Sequence, residues 1–331
     1  DALSKNLHYH EVNVPDYPLF KYEPYELALS SKLYDVISKH KIDVLHVHYA
    51  IPHAYAAYMA KKILDENGYS IPIITTLHGT DITLVGNHPF YKPAVTFSIN
   101  KSDIVTCVSN SLRDDTREFF GIKRDIEVIP NFIDIDKYDK KHHLCERNMI
   151  AQGEEKIIVH VSNFRPLKRI IDVLKIFDKI SQKINSKLIM VGDGPDKKKA
   201  KDFLRKNDLK NKVIFLGKTN EVDEILCSSD LFLLPSEKES FGLAALEAMA
   251  LKVPVISSNV GGLKELNING NSGYTSDVGD IDSMSNNAIE ILSNENLKKE
   301  FKAQAFENAK KYDIKKVIPL YEDVYKKAIS N

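Results

Sequence analysis

The chain has no net charge: among its 331 residues, 46 Lys and Arg offset 46 Asp and Glu. That balance argues against a general binder of nucleic acid or of an anionic membrane, while leaving room for local basic pockets. No apolar run comes near the ~18 residues a membrane-spanning helix needs, and no signal peptide is recognisable. Cysteine is scarce. Cys107, Cys145 and Cys227 show no metal-ligand spacing, so the expectation is three reduced thiols in a cytoplasmic protein. Internal repeats and low-complexity tracts are missing. So are a Walker loop, a G-x-G-x-x-G turn and a Ser-His-Asp arrangement, which removes the commonest nucleotide-binding and nucleophilic signatures.

What is present is a length suited to two domains and a 43% hydrophobic content that can bury sizeable cores. Strand-like and helix-like segments alternate, which predicts α/β domains with parallel sheets and crossover helices. In the first half, strands are expected at Leu7–Val14, Asp43–Tyr49, Pro72–His78, Asp103–Ser109 and Ile126–Pro130. Helices are expected at Pro24–His40, Pro52–Asn67 and Ser111–Phe120. The second half repeats the scheme, with strands at Lys156–Ser162, Lys187–Gly192, Lys212–Gly217, Asp230–Pro235 and Pro254–Ser258. Its helices are Leu167–Lys183, Asp196–Lys206, Val222–Cys227 and Phe241–Leu251. Most of the strands are near-continuous apolar runs, as when both sheet faces are covered. Ile133 to Glu155, with Lys140-Lys141-His142-His143 inside it, reads as the interdomain connection. A last helix, Ile314 to Ile329, sets Val317, Leu320, Tyr321, Val324 and Ala328 on one face. Two such units facing each other form a cleft at the carboxyl ends of their strands, where ligands bind in this architecture.

The densest signal is Glu239-Ser240-Phe241-Gly242-Leu243-Ala244-Ala245-Leu246-Glu247. It follows the apolar strand Leu231-Phe232-Leu233-Leu234. Glu239 therefore belongs to a strand-to-helix loop and Glu247 to the helix. Between them lies a helix start, whose N–H groups lack intrahelical partners and carry the positive end of the dipole. A carboxylate on each side of an anion site fits a ligand with hydroxyls at both ends and phosphate between, the pattern of a nucleotide sugar.

Other constellations sit at expected strand ends. In Ser162-Asn163-Phe164-Arg165-Pro166-Leu167-Lys168-Arg169, Arg165 can offer a planar fork to phosphate and Lys168 a mobile point charge. The alternative is that Lys168 and Arg169 are solvated helix charges. Val191-Gly192-Asp193-Gly194-Pro195 permits close backbone approach, or is an ordinary turn. The same two readings apply to Asn259-Val260-Gly261-Gly262. His46 and His48 alternate on one strand face like a metal pair, but no third ligand is evident and hydrogen-bonding roles are expected. His78 ends a strand ahead of Gly79, so its carbonyl and ring can both reach the cleft.

Together these segments resemble the retaining GT-B glycosyltransferases of family 4, over nearly the whole chain. His46-Val47-His48-Tyr49-Ala50-Ile51-Pro52-His53-Ala54, Leu77-His78-Gly79-Thr80-Asp81-Ile82-Thr83, Asn131-Phe132-Ile133-Asp134 and Ser162-Asn163-Phe164-Arg165 are most similar to the N-acetyl-α-D-glucosaminyl L-malate synthase family of bacillithiol biosynthesis. The resemblance implies two Rossmann-like domains facing a cleft. The acceptor-side domain is residues 1–140 and the nucleotide-sugar domain residues 141–312. A helix over 313–331 crosses back to the first. That family opens with a strand, a Gly-rich loop and a helix that are not found ahead of Asp1, so the first domain is expected to lack them. This leaves open a catalytically inert nucleotide-sugar-binding module, beside another family 4 enzyme with a different acceptor.

The resemblance also assigns roles. N-acetylglucosamine moves from UDP-GlcNAc to the hydroxyl of L-malate, with retention and without a metal or cofactor. The diphosphate lies against Arg165, Lys168, Gly192 and the backbone of Ser240, Phe241, Gly242 and Leu243. Glu247 takes the ribose hydroxyls, Glu239 the transferred sugar and Lys218 the uracil. His78 and Asp81 hold the sugar or polarise the acceptor, with Tyr49 and Thr80 on the acceptor side. Small-molecule substrates are the expected partners, with neither nucleic acid nor membrane, and a homo-oligomer is compatible with the reading.

Overall fold

The computed structural model describes residues 4–16, 21–86, 88–138, 145 and 147–330. The chain divides into one compact unit of Asp1–Ile129 with Pro319–Asn331, and a second of Pro130–Ile318.

The first unit holds β1 (Leu45–His48), β2 (Ile73–Leu77), β3 (Ile104–Cys107) and β4 (Glu127–Val128), all parallel, in the order β1-β2-β3-β4. Its helices are α1 (Tyr25–His40), α2 (Tyr55–Glu66), α3 (Lys92–Lys101) and α4 (Asn110–Phe120). Every residue of β2 is buried, as befits a strand covered on both faces. α4 shows how local chemistry sets the limits of a helix. Ser109 Oγ accepts from the Leu112 N–H at 3.1 Å, and Gly121 ends the helix at φ +62°. The strand expected at Leu7–Val14 does not form. Leu7 and Tyr9 are 55% and 75% exposed, so the segment has no buried face to stabilise a strand.

The second unit carries β5 (Lys156–Val161), β6 (Ser186–Val191), β7 (Val213–Gly217), β8 (Leu231–Leu234), β9 (Val255–Ser258) and β10 (Gly273–Ser276). They form one parallel sheet in the order β10-β9-β8-β5-β6-β7. The helices are α5 (Arg147–Ile150), α6 (Ile170–Ser181), α7 (Lys197–Lys206), α8 (Val222–Cys227), α9 (Leu243–Ala250), α10 (Leu263–Leu266), α11 (Ile281–Ser293) and α12 (Glu295–Ala309), and α13 (Ile314–Ser330) starts here but from Pro319 on belongs to the first unit. Ile158, Met190, Leu231 and Ile256 from the strands pack with Phe177 of α6 and Ile291 of α11 in one core. A fully buried side chain of this size contributes about 1.5–3 kcal/mol relative to an exposed one. The α/β class with parallel sheets is as expected.

Three expectations change. Lys140-Lys141-His142-His143 lies outside the described residues. The parts of that stretch that are described fold with the second unit: Ile133 bridges to Asp313, and Arg147 pairs with Asp230 at 2.8 Å. On α13, Val317, Val324 and Ala328 are buried, but Leu320 is 44% exposed and does not belong to the apolar stripe. Cys145 and Cys227 form a disulfide, their Cα atoms 5.6 Å apart, which corrects the expectation of three reduced thiols. Folding brings the end of α8 against a residue 82 positions away, which spacing alone does not reveal. Cys107 is buried, and its Sγ donates to the Ser109 carbonyl at 3.3 Å.

Candidate active site

In the second unit the chain builds β6 and β7 outward on one side of β5, then returns to lay β8, β9 and β10 on the other. The connections therefore diverge between β5 and β8, the place where open α/β sheets bind ligands at their carboxyl ends. Lys168 leaves the turn after β5, Glu239 leaves the loop after β8, and their side chains meet there in an ion pair, each 16% exposed. Ser236 Oγ donates to the same Glu239 oxygen at 3.5 Å. The backbone joins the two loops as well, with the Glu237 N–H donating to the Leu167 carbonyl at 2.7 Å.

Arg165 heads the 3-10 turn Pro166–Lys168 and is exposed, with no hydrogen bond or ion pair to its guanidinium among the described residues. Arg169 is structural instead. It turns aside at φ +51° and its Nε donates to Asp172 at 2.5 Å, with Glu237 at 3.5 Å from the guanidinium. Lys168 is therefore not a solvated helix charge.

Glycines let neighbouring loops touch. A Cβ on Gly261 would lie 2.0 Å from the Glu239 carbonyl oxygen, and one on Gly262 would lie 2.2 Å from that of Ser240. The Gly262 N–H donates to the Glu239 carbonyl at 2.9 Å. Gly192, at φ +118°, likewise presses on Ser162, where a Cβ would come within 1.8 Å of the carbonyl oxygen. Both glycine turns thus position the β5 and β8 loops through backbone contact. Lys218, exposed beyond β7, acts on Asp193 of the Gly192 turn. The Asp193 carboxyl is held below its ordinary range by Lys197 first, then by the Gly194 N–H, with Lys218 adding to the effect.

α9 begins at Leu243, two residues later than expected, because Gly242 adopts φ +101° as its cap. No side chain caps this start, leaving its N–H dipoles directed outward. Phe241 is buried edge-on against Tyr312, ring centres 5.3 Å apart, so its side chain is a structural plug. Ser240 is partly buried and Leu243 exposed. Glu247 lies one turn along the helix. Burial, then the Asp223 carboxylate, pushes its carboxyl up to about 7. Tyr138 belongs to the same cluster, its hydroxyl pushed up by burial, then Glu247 and Asp223.

Sequence reasoning missed Asp223 and Tyr138, which lie in segments without a motif. It also missed His160, although a histidine inside the apolar run of β5 was a usable signal. His160 is fully buried, and its rings nitrogens bond the Leu233 carbonyl and Ser162 Oγ, each at 2.8 Å, holding β5, β8 and the Ser162 turn together. Burial lowers its pKa to about 4.

In the first unit, the ends of adjacent β1 and β2 gather histidines. His46 bonds Tyr325 Oη at 2.9 Å and Thr76 Oγ1 at 2.7 Å, in the expected hydrogen-bonding role. His48 Nδ1 and His78 Nε2 are 2.8 Å apart. Burial, then His48, pushes His78 down to about 4, so its imidazole is neutral near neutral pH. Tyr49 takes φ +76°, a strained value for a bulky residue, and sets its ring 5.0 Å from that of His78. Asp81 is buried and spent on backbone: it accepts from the N–H groups of Ala50 at 2.8 Å, Gly79 at 2.9 Å and His78 at 3.3 Å. It positions the loop from within. Thr80, by contrast, is exposed.

Among the described residues, no three His, Cys, Asp or Glu side chains are grouped to hold a metal. No helix among them is long and apolar enough to cross a membrane.

Glycosyltransferase Family 4 matches residues 1–137 and Glycosyl transferases group 1 matches residues 146–310. The N-acetyl-alpha-D-glucosaminyl L-malate synthase of Bacillus anthracis is 43% identical over 322 residues, 97% of this chain and 84% of that protein. An uncharacterized glycosyltransferase of Methanocaldococcus jannaschii is 29% identical over 318 residues, 95% of this chain and 83% of that one. Among solved structures, Anabaena HepE in complex with UDP and glucose matches with a TM-score of 0.77 at 19% identity, over 90% of this chain and 80% of that one.

Proposed function

The chain belongs to the family 4 glycosyltransferases, hexosyltransferases of GT-B fold, and from that premise we propose that it moves N-acetylglucosamine from UDP-GlcNAc to the hydroxyl of L-malate with retention. The observation that carries the donor side is the Lys168–Glu239 pair at the sheet's switch point, in the loop that leads into α9 and Glu247. The acceptor rests on the 43% identity to an enzyme named for L-malate.

In this reading the donor's diphosphate takes Lys168 and Arg165 as counter-charges and the start of α9 as a dipole. These groups stabilise the charge that develops on the departing UDP, a term that usually dominates catalysis of this kind. No metal or cofactor is required, because the two cations supply that charge. Glu239 accepts hydrogen bonds from the transferred sugar, and Glu247 from the ribose hydroxyls. Lys218 stays assigned to the uracil. Retention follows from front-face attack, with the acceptor entering on the leaving group's side and a phosphate oxygen taking its proton. Double displacement needs a carboxylate free to attack the anomeric carbon. Glu239 is ill suited to that, since its carboxylate is held by Lys168 and Ser236. Tyr49, His78 and Thr80 serve the acceptor, and Asp81 fixes the loop that carries them.

The test is UDP release from UDP-GlcNAc with and without L-malate. Release that depends on malate supports the reading. Release that needs another acceptor overturns the malate assignment, and UDP-GlcNAc binding without release under any acceptor indicates an inert binding module.

A further inference from the structure

Arg165 is placed without help from its own side chain. Its guanidinium has no hydrogen bond or ion pair among the described residues, so what aims it is the backbone that leads into it. The residue before it, Phe164, is held at φ +43°, a left-handed value that bulky side chains avoid. Such a turn persists only where its surroundings fix it. We infer that His160 is a positioning residue for Arg165, acting through the Ser162 hydroxyl on the left-handed turn at Phe164. The inference rests on the donor reading above, in which Arg165 faces the departing diphosphate, and gives His160 and Ser162 a part in it.

Chemistry fixes the direction of each bond. The Leu233 carbonyl can only accept, so at 2.8 Å His160 Nδ1 carries the hydrogen and donates it. Burial first, and the Lys168 charge as well, hold the ring in its neutral form with a pKa of about 4, against the pull of that carbonyl. In a neutral ring protonated at Nδ1, Nε2 is a bare lone pair. The Ser162 hydroxyl, 2.8 Å away, therefore donates to Nε2. With its hydrogen spent there, Ser162 Oγ presents lone pairs to the Phe164 N–H, which donates to it at 3.2 Å. One chain thus runs from the β8 carbonyl through His160 and Ser162 to the turn.

Other contacts hold the rest of the turn. The Asp196 N–H donates to the Phe164 carbonyl at 3.1 Å, and a Cβ on Gly194 would lie 2.0 Å from the Asn163 carbonyl oxygen. The Phe164 ring is fully buried, 6.2 Å from the His160 ring and at 28° to its plane. These contacts grip the carbonyl and the ring, whereas the N–H is held by Ser162 Oγ. Without the hydroxyl the N–H loses its partner, and the strained φ at Phe164 is free to relax, carrying Arg165 with it. Lys168 is anchored by its own pair with Glu239, so Arg165 takes the displacement.

A double-mutant cycle on UDP release from UDP-GlcNAc and L-malate tests this. Ser162→Ala should lower kcat about tenfold to a hundredfold, the scale for a group misplaced by about 1 Å, with a smaller change in KM. Ser162→Thr, which keeps the hydroxyl, should retain most of the rate. In an Arg165→Ala background, Ser162→Ala should cost less than about twofold, because the group it positions is gone. His160→Asn keeps a donor for the Leu233 carbonyl and removes the acceptor for Ser162. It should behave like Ser162→Ala, and supplies the cycle a second time. Melting temperatures show whether each variant is folded. A full, multiplicative loss in the Arg165→Ala background overturns the positioning role alone, as does an unchanged kcat in folded Ser162→Ala. A normal kcat in Arg165→Ala overturns the donor reading, and this inference falls with it.

Discussion

Lys168 of the turn after β5 is ion-paired with Glu239 of the loop after β8. Shielded as it is, the pair gains attraction from its low-dielectric setting and loses part of it to desolvation. Its value lies in placing a cation and a carboxylate together where the sheet's connections diverge. Arg165 stands beside it, exposed and without a partner among the described residues. Lys168→Ala and Arg165→Ala should each lower kcat by about 10²–10³-fold, the usual cost of removing a group that stabilises transition-state charge. Thermal melts should show a folded protein in both. Near-normal kcat in the two variants rules out the leaving-group role.

Glu247 gives a pH signature. Its carboxyl, raised by burial and then Asp223, keeps its proton in the folded state up to about 7. Within and below the ordinary carboxylate range, both folded and unfolded chains hold the proton. Above that range the unfolded chain has ionised and the folded one has not, so stability falls as pH rises, until the folded group also ionises near 7. Glu247→Gln has no such slope. The Tm of the variant minus that of the unmodified protein should therefore climb through this window and level off above it. Parallel profiles contradict the raised value.

The same side chain is tested by ligand binding. Glu247→Ala should raise the KM for UDP-GlcNAc about tenfold, the scale of a lost hydrogen bond to a charged acceptor, with a smaller change in kcat. Direct titration with UDP separates the terms. Unchanged UDP affinity removes the ribose assignment.

Gly261 and Gly121 make a controlled comparison. Both have positive φ, but a Cβ on Gly121 meets nothing within 4 Å, whereas on Gly261 it would lie 2.0 Å from the Glu239 carbonyl oxygen. Gly121→Ala should cost about 1 kcal/mol, from backbone conformation alone. Gly261→Ala should cost about 3 kcal/mol and displace Glu239, lowering activity as well. Denaturant unfolding measures both costs. Equal values show that the close approach to Glu239 is not what Gly261 supplies.

Asp81→Ala strands the N–H groups of Ala50, His78 and Gly79, of which two lie deeply buried. A loss of about 2–3 kcal/mol is expected, the cost of leaving buried donors unsatisfied, together with a raised acceptor KM as Tyr49 and His78 lose their support. A stable variant with an unchanged Tm disproves the positioning role.

The second unit was legible where strands are short apolar runs ending in turn residues. Lys156–Val161 and Leu231–Leu234 differ from their expected limits by a residue or so, because a strand buried on both faces leaves a continuous hydrophobic signal. β10 was missed: Gly273-Tyr274-Thr275-Ser276 is a short, polar edge strand. The segment Leu7–Val14 failed in the opposite sense: it was read as a strand, but its apolar side chains Leu7 and Tyr9 are exposed and find no core. Glu239, Lys168 and Glu247 were found by spacing. Spacing could not show that Glu239 and Lys168 bond each other, that Gly261 carries the Glu239 loop, or that Asp81 faces backbone rather than ligand. Those are long-range contacts, set by which strand ends the sheet order makes neighbours.

The most direct test of the account is to incubate the protein with UDP-GlcNAc and L-malate and determine the product by mass and by the anomeric proton coupling in NMR. The account predicts N-acetylglucosamine joined through its anomeric carbon to the malate hydroxyl in α configuration, formed together with UDP. A β-linked product, or UDP formed with no sugar on malate, contradicts it.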